Sequence, residues 1–216
     1  MSFTKIQSIK KSKRQNYCIV EFDTDEQIEL SLDLVAKHKL AKGKILDTER
    51  LGEILKEQRV FEAKNLALNF VSYRKRTKHE VVQKLKEKHF FVDEIQLATQ
   101  FLEDFGYIDD REFAKNYTKY ALDIKKYSLA RIKRVLLRKG LEKGLIDEVL
   151  KEFTNEEDEY ENALELALKK LKQLEKQEKD KPIQRVAQYL YNKGFDWEIV
   201  KKVCDSLENS NEYKRE

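Results

Sequence analysis

One pattern recurs three times in this chain and restricts its fold more than any other feature. Thr77–Leu85, Ser128–Leu136 and Pro182–Leu190 each open on a helix starter: Thr, Ser, or Pro in the first turn. In each, a Leu follows eight residues after the starter, and four residues later stand His89, Gly140 and Gly194. Gly takes the left-handed conformation that closes a helix, and His takes it at some cost. The next helix repeats as well. Ile95, Ala98 and Leu102 match Ile146, Val149 and Phe153, and then Val200, Val203 and Leu207, an i, i+3, i+7 stripe each time. A further helix precedes each pair, at residues 63–73, 113–122 and 163–171, and the copies are spaced by 51 and 54 residues. The expected fold is mostly α: three tandem three-helix repeats, each burying its stripes partly on its neighbour, in an elongated curved body.

Before the repeats the period changes from helical to two. Residues 4–10, 17–22 and 27–32 alternate apolar and polar, and turn-rich pieces separate them, which predicts three short strands in meander order. Residues 33–39 fit one helical turn, Gly43 marks a loop, and Asp47 or Thr48 is a plausible cap for the helix that follows. The expected organisation is a small β-rich region at 1–46, repeats at 47–109, 110–154 and 155–208, and a flexible tail at 209–216.

Composition agrees with this and removes several function classes. Charged residues make up 39% and apolar ones 40%, with one Pro and six Gly, a mix suited to long charged helices. No stretch approaches the roughly 20 apolar residues that span a bilayer, and the N-terminus has no apolar run of a signal peptide, so no membrane partner and a cytoplasmic location are expected. Cys18 and Cys204 read as small buried hydrophobes, with no disulfide or zinc spacing. His38, His79 and His89 are scattered, and no phosphate loop, metalloprotease or nucleophile-elbow motif occurs, so no metal, cofactor or enzyme activity is expected. Asp109 and Asp110 read as caps for the helix that follows them, not as a catalytic pair. Phe90, Phe91, Phe101 and Phe105 fit the core by spacing, and Trp197 reads as a staple or core residue.

A formal net charge of +4 hides strong segregation. Residues 1–20 carry five basic and no acidic side chains; 115–143 carry ten basic and two acidic; 152–165 carry seven acidic and no basic. In the second repeat, Arg131, Arg134 and Arg138 fall within about 60° of helix surface, beside an apolar arc of Leu129, Ile132, Val135 and Leu136. This row suits phosphates or an acidic protein face; Lys125 and Lys126 lie just before it, Lys133 joins them as a candidate contact on the same helix, and the imbalance of the segment argues against neutralisation from nearby. A second cluster, Arg74, Lys75, Arg76 and Lys78, lies at a helix joint, with Tyr73 beside it as a base-stacking residue or a core anchor. The acidic stretch suits a helix N-terminus, and it would also repel DNA from one side of the molecule.

Three of these segments resemble the RecX family. Tyr73-Arg74-Lys75-Arg76-Thr77-Lys78-His79-Glu80-Val81 is similar to its YRxRSxxEV stretch, and Gly106–Ala114 (GYIDDREFA) to its G-x-[IL]-[DN]-D-x-x-[FY]-A segment. Arg131–Leu141 (RIKRVLLRKGL) resembles the family's next basic helix, and the resemblance runs from about residue 60 to 207. The strands resemble the leader region of longer members. The chain departs from the family at His89, where Gly is usual, at Lys143-Gly144, and in the charged run at 172–181. What the resemblance implies is a monomeric regulator that lies in the groove of the RecA filament on single-stranded DNA and restrains its ATPase, strand exchange and support of the SOS response. Direct contact with the single strand is a further implied partner. The residues alone leave open a stand-alone single-stranded nucleic-acid-binding repeat, or a helical scaffold.

Overall fold

The computed structural model describes residues 3–153, 156–177 and 179–212, without the side chains of 156–158 and 210–212. The chain falls into two compact bodies. One comprises the residues up to Arg74 with Val81–Tyr107; the other comprises Lys75–Glu80 with Ile108 onward.

The first body begins with β1 (Phe3–Lys11), β2 (Tyr17–Phe22) and β3 (Gln27–Ser31), the expected meander. Alternation places Ile6, Val20, Phe22 and Leu30 on one face, where they are buried with Cys18. Burying side chains of this size stabilises by roughly 1.5–3 kcal/mol each. Ser31 then caps the short helix α1 (Leu32–Lys37), its hydroxyl accepting the Leu34 N–H. The sequence reading missed β4 (Ile45–Asp47), which pairs antiparallel with β1, so the sheet order is β3-β2-β1-β4. At three residues, β4 has too few alternating positions to show a period.

Asp47 caps the long helix α2 (Thr48–Ser72), its carboxylate accepting the Arg50 N–H at 2.7 Å. Its front half closes the sheet's core through Ile54, and Gln58 accepts the Ser31 N–H at 2.9 Å. Its back half, through buried Ala63 and Ala67, is the first helix of repeat one. Repeat one continues with α3 (Lys78–Lys86) and α4 (Val92–Asp104). Glu94, at the start of α4, takes a bidentate grip from Arg59 of α2 (2.5 and 3.0 Å) and accepts the Phe91 N–H at 2.8 Å.

The second body holds α5 (Asp110–Asp123), α6 (Leu129–Arg138) and α7 (Lys143–Lys151), then α8 (Glu156–Lys176), α9 (Pro182–Lys193) and α10 (Trp197–Glu212). Asp109 caps α5 as expected, accepting the Glu112 N–H. Asp110 instead accepts the Lys78 N–H at the start of α3, because the fold lays that earlier helix start against it. α10 runs to Glu212, and residues 213–216 of the expected tail lie outside the described residues.

Repetition extends to backbone detail. Leu85, Leu136 and Leu190 are fully buried. Four residues on, His89, Gly140 and Gly194 all adopt positive φ, at 58°, 79° and 92°. In each copy the next residue's N–H returns to the Leu carbonyl: Phe90, Leu141 and Phe195 at 3.3, 3.2 and 3.3 Å. This is the hydrogen-bond closure of a Schellman end. The stripes are buried too, apart from the half-buried Phe153.

Some apolar expectations fail. Phe91 and Phe105 are each 66% exposed, and Trp197 is 61% exposed. Tyr73 is no core anchor, at 87% exposure. Helical spacing places rings on a face, but only a neighbouring element makes that face a core, and among the described residues none buries these.

Candidate binding surface

Within the second body, the junctions between successive repeats are built alike. Thr77 caps α3: its hydroxyl accepts the Glu80 N–H at 3.2 Å, and the Glu80 carboxylate accepts the Thr77 N–H at 3.1 Å. The same hydroxyl donates to the Lys139 carbonyl, at the end of α6, at 2.8 Å. One repeat later, Ser128 caps α6, accepting the Arg131 N–H at 3.2 Å, and donates to the Gly194 carbonyl at the end of α9. Each starter hydroxyl thus joins a helix N-terminus in one repeat to a helix C-terminus in the next, where the orphan groups of both ends find partners.

The basic residues of the second repeat divide on this scaffold. Lys133 pairs with Asp147 of α7, and Lys126 lies 3.6 Å from Glu165 of α8. Lys115 and Lys139, in the same segment, pair with Glu152 and Glu80. The imbalance counted along the segment is therefore partly neutralised, because folding brings carboxylates from helices outside it. Arg131 is half-buried: its guanidinium stacks 4.1 Å over the Tyr127 ring and donates to the Asn192 carbonyl. Arg134 and Arg138 are exposed, and among the described residues no carboxylate forms an ion pair with either, or with Arg131 or Lys125. A cleft of about 490 Å³ is lined by Arg131, Arg134, Leu137, Arg138, Tyr191 and Asn192.

Lys193 was not singled out from the sequence, yet the fold places it among these cations. It donates to the Lys125 carbonyl at 2.9 Å and lies 5.2 Å from the Tyr127 ring and 5.6 Å from that of Tyr189. Burial, and then the positive charges of Arg131 and Lys125, hold its ammonium below the usual lysine value. Its position beside Gly194, matching Lys139 beside Gly140, was the available signal.

In the other predicted cluster, Arg74, Lys75 and Lys78 are exposed, Arg76 is half-buried, and Lys75 pairs with Glu112 at 2.5 Å. The acidic stretch contributes Glu152, Glu159, Glu161 and Glu165 to a separate cleft of about 640 Å³. Side chains at 154–158, in the middle of that stretch, lie outside the described residues. No helix among the described residues is long and apolar enough to cross a membrane.

A short antiparallel sheet followed by three-helix repeats with cation-bearing second helices defines a class of tandem helical-domain protein. Comparison places the chain within that class. Residues 63–102, 109–150 and 156–204 match the first, second and third three-helix domains of RecX. The regulatory protein RecX of Clostridium acetobutylicum is 33% identical over 97% of this chain and 98% of its own, and that of Clostridioides difficile 31% identical over 96% and 98%. A crystal structure of a regulatory protein RecX superposes with a TM-score of 0.69 at 27% identity, covering 94% of this chain and 99% of that one. The structure of RecX from Lactobacillus salivarius gives 0.59 at 25% identity, over 69% and 97%. The chain belongs to the RecX family of regulatory proteins.

Proposed function

We propose that this protein binds the filament that RecA forms on single-stranded DNA and restrains its ATPase, strand exchange and SOS co-protease activity. Family membership supports the partner. The observation that carries the reading is the exposed guanidinium row of Arg134 and Arg138, free of carboxylates among the described residues, on a helix rigidly held at both ends. Lys125, Arg131 and the cluster Arg74, Lys75, Arg76 and Lys78 extend the filament-facing set; Lys126 and Lys133 contribute less, being engaged with Glu165 and Asp147. An exposed ion pair is worth only about 0.2–1 kcal/mol, so these contacts act collectively. The basic faces of the first two repeats engage the filament, and a monomer whose repeats span several RecA protomers gains affinity for filament over free subunit through effective concentration. The protein acts in the cytoplasm and catalyses nothing itself; turnover by the chain alone would contradict this.

The test is RecA ATPase on single-stranded DNA with the protein added. The expected result is a dose-dependent fall; no effect at a few-fold excess over filament sites refutes the reading. Replacing Arg134 and Arg138 together by Glu should weaken the effect at least tenfold.

A further inference from the structure

The two junctions of the second body share a backbone plan but differ in charge. At the first, Lys139 next to Gly140 meets Glu80, three residues after the starter Thr77, at 3.0 Å. At the second, Lys193 next to Gly194 lies 5.2 Å from the same Tyr127 ring that Arg131, three residues after the starter Ser128, covers at 4.1 Å. A carboxylate in one copy is replaced by a guanidinium in the other. Gly194 sets this closeness, since a Cβ there would lie 2.6 Å from the Arg131 Cβ and 3.1 Å from an Arg134 guanidinium nitrogen. Arg131 and Lys193 thus share the Tyr127 ring, and Lys193 donates to the backbone carbonyl of Lys125, whose own ammonium lies 5.7 Å from the Tyr120 ring. Among the described residues no carboxylate forms an ion pair with any of the three. Ring and carbonyl partners hold these like charges in place, and an anion from outside would offset the repulsion that remains.

What surrounds this cluster narrows the anion. The cleft holding Arg134 and Arg138 shares Tyr191 with a second cleft of about 380 Å³, lined by Gln184, Ala187, Gln188, Tyr191 and Trp197. Tyr191 is 60% exposed and Trp197 61%, so both rings offer open faces. Gln188 and Asn192 place amides beside them, at 3.2 Å from each other. Guanidinium and ammonium groups suit phosphates, flat exposed rings suit unstacked bases, and amides suit base edges. A duplex hides its bases from such rings, and an acidic peptide makes no use of them.

We infer that the joint of the second and third repeats is a binding site for single-stranded nucleic acid, with phosphates on Lys125, Arg131, Lys193, Arg134 and Arg138 and bases stacked on Tyr191 and Trp197. It deepens the filament reading by naming the DNA strand as the ligand of this face, and it gives the third repeat a part in binding that its acidic opening conceals.

Trp197 is the only tryptophan of the chain, so its fluorescence reports on the site directly. The experiment titrates the full chain, without RecA, with an oligothymidylate of about a dozen nucleotides. The expected result is quenching of Trp197, with affinity falling at least tenfold between about 50 and 200 mM salt. Arg131→Glu, which restores the charge pattern of the first junction, should weaken binding at least tenfold, and Arg138→Ala and Tyr191→Ala several-fold each. Circular dichroism checks that each variant is folded, and Arg138→Ala and Tyr191→Ala alter only exposed side chains. Absence of quenching, equal quenching by wild type and the Arg138→Ala and Tyr191→Ala variants, or equal quenching by duplex or heparin overturns the inference. Since RecA is absent, such a failure leaves the ATPase test standing, and a failed ATPase test leaves this one intact.

Discussion

Ser128 donates its hydroxyl proton to the Gly194 carbonyl, sixty-six residues away, while accepting the Arg131 N–H. Thr77 stands in the same relation to Lys139. One small side chain thus both starts a helix and fastens it to the next repeat. Ser128→Ala removes the cap and leaves a carbonyl unpaired, and should destabilise by about 2 kcal/mol. Thr77→Ala should cost about as much, while Thr77→Ser keeps most of the stability. Urea midpoints check this; a loss under about 0.5 kcal/mol for both Ala variants would show that the hydroxyls do not fasten the repeats.

The glycines should differ sharply. Gly194 has φ 92°, and a Cβ would come within 2.8 Å of the Ser128 hydroxyl. Gly140 has φ 79° and faces the near end of the His79 side chain. Gly106 has φ 68° in open space. Ala at 194 or 140 should cost about 2–4 kcal/mol, and at 106 about 1 kcal/mol. Equal losses at all three sites in thermal melts would mean that only the dihedral matters.

His89 holds a left-handed conformation that its counterparts fill with Gly, and its side chain is exposed. The Arg59 contact goes to its backbone carbonyl, so it survives substitution. His89→Gly should therefore stabilise the protein by about 0.5–1 kcal/mol. A destabilised variant in urea would reveal a role for the imidazole.

Acid should loosen both bodies together. Hydrogen bonding from Lys37, then His38, holds the Glu57 carboxyl below its ordinary 4.5. Lys75 does the same to Glu112, and Lys133 to Asp147. Depressed carboxylates stabilise fully above their unfolded values, and this is lost as pH falls through the folded ones. Stability should hold from pH 7 to about 5 and then decline, with a shallower decline in Glu57→Gln. Urea midpoints that stay flat down to about pH 3 would contradict this.

Much of this fold was legible because its signals are local. A starter, a Leu eight residues on and a left-handed stop are all read from one short stretch, and all three copies formed as that stretch implied. β4 escaped for want of length. α2 was harder, because its front half serves the sheet and its back half the first repeat, so its apolar residues follow no single face. The binding surface was legible only in outline. Arg134 and Arg138 stand exposed on the expected row, but Lys133 finds Asp147 and Lys126 approaches Glu165, partners that no count along the segment could supply. Lys193, Tyr191 and Trp197 came into view only once α9 lay beside α6.

Pro182 occupies the place where Thr77 and Ser128 stand in the earlier copies, and Lys181 before it, at φ 52°, gives no side-chain cap. Proline has neither a hydroxyl to donate nor an N–H. In the language of polymers, the first two copies carry a linking group that the third lacks. A helix end laid against Pro182 would find no hydroxyl there, and replacing it with Ser would supply the group that joins the earlier copies.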